Sequence, residues 1–242
     1  MLVALLLCSV VTGCASLGAV PPKLQSIKTI GIIASVGDQL TLTKAGLTGV
    51  TDIEQSFPID SWAIDDLIIS RAGTLLSKRY QIQPVTYRRA AFAIVPGSSP
   101  LNLLKKDPVK ELIRTEAAPQ GLDAYLVITK ATSAYGARGR NVAGLGIISH
   151  KSVLDSYTQI HALYMIRLVA GNDFDMLDKR SALAPGNIEM RRLAGPSQLV
   201  DDSFLPGASG ADGNQKLRAG ITELIERSLP ATLKSMGLTD EP

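Results

Sequence analysis

The chain has 242 residues, 45% of them hydrophobic and 19% charged, with a formal net charge of +3. These proportions exclude intrinsic disorder, and the length suits one sizeable domain or two small ones. The 25 Lys and Arg are scattered and aromatics make up only 5%, so the crowded basic and aromatic stretch of a nucleic-acid binder is missing.

Leu2 to Val11 reads Leu-Val-Ala-Leu-Leu-Leu-Cys-Ser-Val-Val. That is the length of a signal-peptide apolar core and too short to span a bilayer as a helix. It leads into Val11-Thr12-Gly13-Cys14, which resembles a bacterial lipobox: an aliphatic residue, two small ones that fit a peptidase next to the cut, and the cysteine that carries the lipid. The resemblance implies cleavage before Cys14 and acylation of its sulfur, with acyl chains adding about 0.8 kcal/mol of membrane affinity per buried CH₂. Ala15 follows, where an aspartate would signal inner-membrane retention, so the resemblance to lipoproteins implies the outer membrane, facing the periplasm. The chain then divides into a signal peptide (1–13), a lipidated tether (14–26) with Gly18, Pro21 and Pro22, and one periplasmic domain (27–242). Loss of Cys8 and acylation of Cys14 leave no thiol for a disulfide, so the core alone must hold the fold.

Ile27 to Val36 (IKTIGIIASV) is a β-branched run suited to a strand buried on both faces. Gly37-Asp38 predicts a two-residue hairpin, with Leu40 to Thr43 returning as the partner strand. Residues 45–58 read as a Gly/Thr loop. Asp60 or Ser61 is the expected cap of a helix with the stripe Ile64, Leu67, Ile68, Ala72, Leu75 and Leu76. Asp65 and Asp66 stand in its first turn and Lys78-Arg79 in its last, as the helix dipole favours. Tyr80 to Tyr87 predicts an edge strand around Pro84. Asp107-Pro108 opens a shorter helix, and Leu122 to Thr132 is a strand. Tyr157 to Val169 is a long strand, Gly171-Asn172-Asp173 a turn, and Phe174 to Ala184 the return. A last helix from Asn214 to Met236 carries Leu217, Ile221, Leu224, Ile225 and Leu229, with a kink at Pro230. The order β-β-α-β-α-β-β-β-α predicts a single α/β domain, a mixed sheet with two or three packing helices. Residues 133–156 and 185–212 fall outside it as long loops. Arg138, Arg140, His150 and Lys151 in the first and Arg191 and Arg192 in the second are the candidate binding residues.

A catalytic constellation is not legible. Gly37-Asp38-Gln39-Leu40 resembles the Gly-Asp-Ser-Leu block of a lipase/esterase family, but Gln39 stands in the nucleophile's place and an amide cannot be activated there. The two histidines, His150 and His161, lack neighbours at metal-ligand spacing. Adjacent Asp65-Asp66 and Asp201-Asp202 point different ways and make poor acid/base couples. The glycines after Tyr135 match neither a dinucleotide fingerprint nor a phosphate loop. The sequence therefore predicts no catalytic residue, no metal site and no cofactor.

Gly121-Leu122-Asp123-Ala124-Tyr125-Leu126-Val127-Ile128-Thr129, the glycine-rich stretch after it, and the strand ending Ile166-Arg167-Leu168-Val169 carry a second resemblance. Over about residues 120–184 and the final helix the chain is similar to curli-secretion lipoproteins and to the N-terminal domain of Tol-Pal translocation proteins. In the secretion pores two excursions become membrane hairpins, and residues 133–156 and 185–212 occupy corresponding places. Pro185, Pro196 and Pro206 interrupt the second of these. The expectation is a non-catalytic, lipid-anchored module that binds another envelope protein and can oligomerise, with no nucleic-acid partner. A secretion-pore subunit and a hydrolase using Asp38, His150 or His161 are the alternatives.

Overall fold

A computed structural model describes residues 24–45, 52–93, 109–117, 120–135, 140–152, 156–184, 193–207 and 210–240. Strand β1 (Thr29–Ser35) is buried along nearly its whole length, as its β-branched run requires. It pairs in parallel with β4 (Gln81–Gln83) and with β5 (Ala124–Lys130). Beyond β5 lie two antiparallel strands, β10 (Tyr164–Ala170) and β11 (Met176–Ser181), completing a five-stranded sheet in the order β11-β10-β5-β1-β4. A second sheet has the order β12-β9-β8-β2-β3, built from β2 (Gln39–Ala45), β3 (Asp52–Pro58), β8 (Leu145–Lys151), β9 (Ser156–Ala162) and β12 (Ser197–Val200). A small hairpin of β6 (Thr132–Tyr135) and β7 (Arg140–Ala143) stands between them.

The two sheets repeat one pairing pattern. In each, a parallel pair (β1 with β5, β2 with β8) is followed by an antiparallel neighbour (β10, β9). Three stretches of chain run from one sheet into the other: β1 into β2 through Val36-Gly37-Asp38, β5 into β8 through the β6–β7 hairpin, and β9 into β10 through Leu163. The sheets are thus successive halves of one strand layer, interrupted at a common seam. Three backbone bonds tie the seam: Gly144 donates to Ala131 O (3.0 Å), Leu163 to Gly144 O (2.8 Å), and Ala131 to Leu163 O (3.0 Å). Gly144 has φ +59°, a left-handed turn that glycine adopts at no steric cost.

Helices α1 (Ile64–Leu76) and α4 (Gln215–Ser235) cover one side of this layer. Ile64, Ile68, Ala72 and Leu76 of α1 meet Leu217, Ile221, Leu224, Ile225 and Leu229 of α4 in a core shared with both sheets. Asn214 caps α4 by accepting from Leu217 N–H at 3.0 Å, and the helix continues through Pro230 to Ser235. On the other side of the first sheet, α2 (Arg89–Phe92) and α3 (Val109–Glu116) pack Phe92, Val109 and Ile113 against Ile33, Tyr125 and Val127. Tyr135 and Val142 of the hairpin cover Ile148 on the corresponding side of the second sheet.

The fold class is the one expected, an α/β domain with mixed sheets, but several elements differ. Gly37-Asp38 does not close a hairpin; β1 and β2 never pair and enter different sheets. A Cβ on Gly37 would lie 2.7 Å from Ile64 Cβ, so helix α1 presses on the crossing, while Leu40 and Leu42 join the same core as β1. The expected long strand is real in length but bends at Leu163 to serve both sheets. Parts of all three expected loops are strands: β3 in 45–58, β6, β7 and β8 in 133–156, and β12 in 185–212. Neither Asp60 nor Ser61 caps α1. Asp60–Trp62 form a 3-10 turn, Ala63 takes the N-cap position at φ 52°, and no side chain caps it. Lys78 and Arg79 lie past the helix end, where Arg79 donates to Gly237 O (2.9 Å) and Asp240 (2.8 Å).

Candidate functional site

Several buried charged and polar side chains gather at the seam. Asp65, in the first turn of α1, is 6% exposed, and its Oδ1 accepts N–H bonds from Val36 (2.8 Å) and Gly37 (3.1 Å). The crossing from β1 to β2 is therefore held by a carboxylate on the helix above it. Burial raises the Asp65 pKa, opposed by those two backbone bonds and by the charge of Arg89. Next to this crossing Asp38 forms an ion pair with Lys130, whose side chain is only 11% exposed. The Lys130 stem passes Gly144 so closely that a Cβ there would sit 3.1 Å from its Cδ.

His161 completes the group from the far side of Gly144. Its Nδ1 lies 3.0 Å from Gly144 O, and because a carbonyl only accepts, Nδ1 carries the proton and Nε2 is left as an acceptor. Among the described residues Nε2 has no hydrogen-bond partner. The ring lies over Gly146, whose missing Cβ would stand 2.5 Å from Nε2 and 2.7 Å from Thr41 O. Burial pulls the His161 pKa down to about 4, so the ring is neutral at ordinary pH. Gln159 and Thr43 share its sheet face through the rows Thr43–Ile148–Gln159 and Thr41–Gly146–His161. Gln159 Oε1 and Thr43 Oγ1 are also buried without a partner among the described residues. In the first sheet, buried Arg167 donates to Thr129 Oγ1 at 2.7 Å.

The arrangement binds elements together. Asp38 is engaged by Lys130, Asp65 by two backbone amides, and His161 is sealed from solvent. Gln39, in the Gly-Asp-Gln-Leu turn, is exposed at the start of β2. Lys130 and the structural role of Gly144 carry only a faint sequence signal: a lysine ending an otherwise apolar strand, and a glycine between two strands.

Of the candidate binding residues read from the sequence, Arg140, His150 and Lys151 are among the described residues. Arg140, at the start of β7, places its guanidinium 5.9 Å from the ring centre of Tyr135. His150 stacks on Tyr157 at 4.9 Å, and Lys151 bonds to Asp202 at 2.6 Å. Asp202 also accepts from Thr158 Oγ1 at 2.5 Å, and these bonds hold its carboxyl below the usual range. Arg138, Arg191 and Arg192 lie outside the described residues, as do Val11, Thr12, Gly13 and Cys14. Among the described residues, no three His, Cys, Asp or Glu side chains are placed to hold a metal ion. No helix among them is long and apolar enough to cross a membrane.

No family model and no curated protein matches the chain. Solved structures do match it. One is a DUF330-family protein from Xanthomonas campestris, at 10% identity over 87% of this chain and 81% of that one, with a TM-score of 0.35. Another is a neuraminyllactose-binding hemagglutinin homolog from Helicobacter pylori, at 8% identity over 88% and 83%, with a TM-score of 0.37. A third is a lipoprotein from Neisseria meningitidis, at 16% identity over 85% and 99%, with a TM-score of 0.27. At these TM-scores the likeness transfers neither a site nor a function.

Proposed function

We propose that this chain is a lipoprotein of the bacterial envelope: cut before Cys14, held by acyl chains on that cysteine at the periplasmic face of the outer membrane, and carrying a non-catalytic domain that binds another envelope protein. One observation carries the reading, the succession of a short apolar run, Val11-Thr12-Gly13 and Cys14 at the head of the chain. The seam supports the non-catalytic part, since Asp38, Asp65 and His161 are each consumed in holding the strand layer together. The departures from the curli-secretion pattern favour the module over the pore. Of the stretch compared with a membrane hairpin, β8 is an inner strand of the second sheet, and β6 and β7 have four residues each. A membrane strand needs about 9–11.

The test is the intact mass of the chain extracted from membranes. The reading requires loss of residues 1–13 and a mass increment of the size of diacylglycerol and a further acyl chain, with Cys14→Ser abolishing both. A chain recovered at its full unmodified mass, or freely soluble, would sink the proposal.

A further inference from the structure

The strand layer has four borders, and they are not alike. β4 has three residues and β12 four, too short to template another strand. β11 meets β10 with a register shift at Leu168/Val169 and carries Lys179 and Arg180. Bulges and charged side chains, lysine above all, are devices that keep an edge from pairing. β3 has neither a bulge nor a basic side chain, and of these devices carries the acid Glu54. Its seven residues pair with β2 without a shift, from Gln39↔Pro58 to Ala45↔Asp52, and it holds no Lys or Arg. Its only proline is the last residue. Residues 53–56 are exposed on both sheet faces, and Ile53, at 61%, is the most exposed large hydrophobic side chain among the described residues.

From these observations we infer that β3 is a self-pairing edge, and that two copies of this chain join through it in antiparallel register about a two-fold axis at Gln55. Opposed side chains in an antiparallel ladder share a sheet face, so the axis must pass through a single residue. An axis at Glu54 sets two Glu54 carboxylates against each other, and like charges directly opposite destabilise a ladder. An axis at Gln55, the midpoint of Asp52–Pro58, lets all seven positions pair and opposes no like charges. It places Glu54 against Ser56 and exposed Ile53 against the second copy's Phe57, a ring already backed by the core. The result is a closed symmetric pair in which two five-stranded sheets become one of ten strands. The inference stands on the edge alone and does not depend on lipid at Cys14.

Cysteine cross-linking of the full chain in membranes tests it. At a Gln55 axis the two Gln55 Cα atoms would stand about 4.5–5.5 Å apart, inside the span of a disulfide. Mild oxidation of Gln55→Cys should give a species of twice the mass of the membrane-extracted chain. The unsubstituted chain, with Cys8 and Cys14 only, and Glu226→Cys on the exposed side of α4 should stay at background. Glu54→Cys and Ser56→Cys should cross-link when mixed and not separately. Adding Ile53→Lys to Gln55→Cys should lower the cross-linked fraction about tenfold by placing a charge on the edge, with thermal unfolding unchanged because Ile53 is exposed. Equal cross-linking of Gln55→Cys and Glu226→Cys, no register preference in the mixed pair, or a Gln55→Cys adduct to a different protein would each overturn the inference.

Discussion

Replacing Asp65 isolates the chemistry that makes the strand layer cross between sheets. Its Oδ1 accepts both the Val36 and Gly37 N–H groups, and all three residues are buried. Asp65→Ala strands two buried donors at about 1–3 kcal/mol each, and relief from burying a carboxylate offsets part of that, leaving a loss of roughly 2–4 kcal/mol. Asp65→Asn keeps an acceptor oxygen at the same place and should stay within about 1 kcal/mol of the parent. Urea unfolding followed by circular dichroism resolves the difference. With a slope of about 1–3 kcal/mol/M the midpoint should fall by about 1–2 M for Asp65→Ala and by far less for Asp65→Asn. The pH dependence carries a sign. Burial raises the folded-state pKa above its ordinary value of 3.8, so the native state holds this proton more tightly than the unfolded chain. The contribution of Asp65 is therefore fully present below 3.8 and is lost as pH rises through the folded value. Asp65→Asn cannot ionise and should gain on the parent between acid and neutral pH. Equal destabilisation by alanine and asparagine would refute the reasoning, because the acceptor oxygen would then not be what holds the crossing.

His161 runs the other way. Its folded pKa of about 4 lies below the ordinary 6.5, so the native state binds fewer protons in that interval. Stability should be complete above 6.5 and decline as pH falls toward 4, by roughly 3 kcal/mol in all. Thermal unfolding scans across that range should show the decline, and His161→Gln should flatten it. Gly146→Ala should destabilise by about 1–3 kcal/mol, measured by the same urea titration. Its Cβ would meet the His161 ring at 2.5 Å and Thr41 O at 2.7 Å. The double substitution Gly146→Ala/His161→Ala should recover part of the loss by removing the ring, while the contact with Thr41 O remains.

Patterns that depend on near neighbours were legible in the chain. The run at 27–36 announced a strand buried on both faces, because β-branched residues without alternation fit little else at that length, and the run at 122–132 announced a strand. Both strands are found buried along nearly their whole length. The stripes of α1 and α4 named most of the helix residues that form the core, since a period near 3.6 is written locally, although Leu67 of the expected α1 stripe is outside it. The pattern Val11-Thr12-Gly13-Cys14 is likewise local, and the reading of the chain as a lipoprotein rests on it.

The connections between those elements were decided by the tertiary structure. Gly37-Asp38 satisfies the local rules for a hairpin, yet Asp65, arriving from helix α1, takes the two amides and sends the strand onward into another sheet. Tyr157 to Val169 reads as one uninterrupted strand, and only Gly144 and Ala131, hydrogen-bonded to Leu163, mark where it bends. Lys130, Asp38 and His161 are far apart in sequence and meet at Gly144 because three crossings share one seam. Residue type and spacing carry the propensity of a segment. Which buried donor finds which acceptor depends on segments dozens of residues away, and that pairing set the topology.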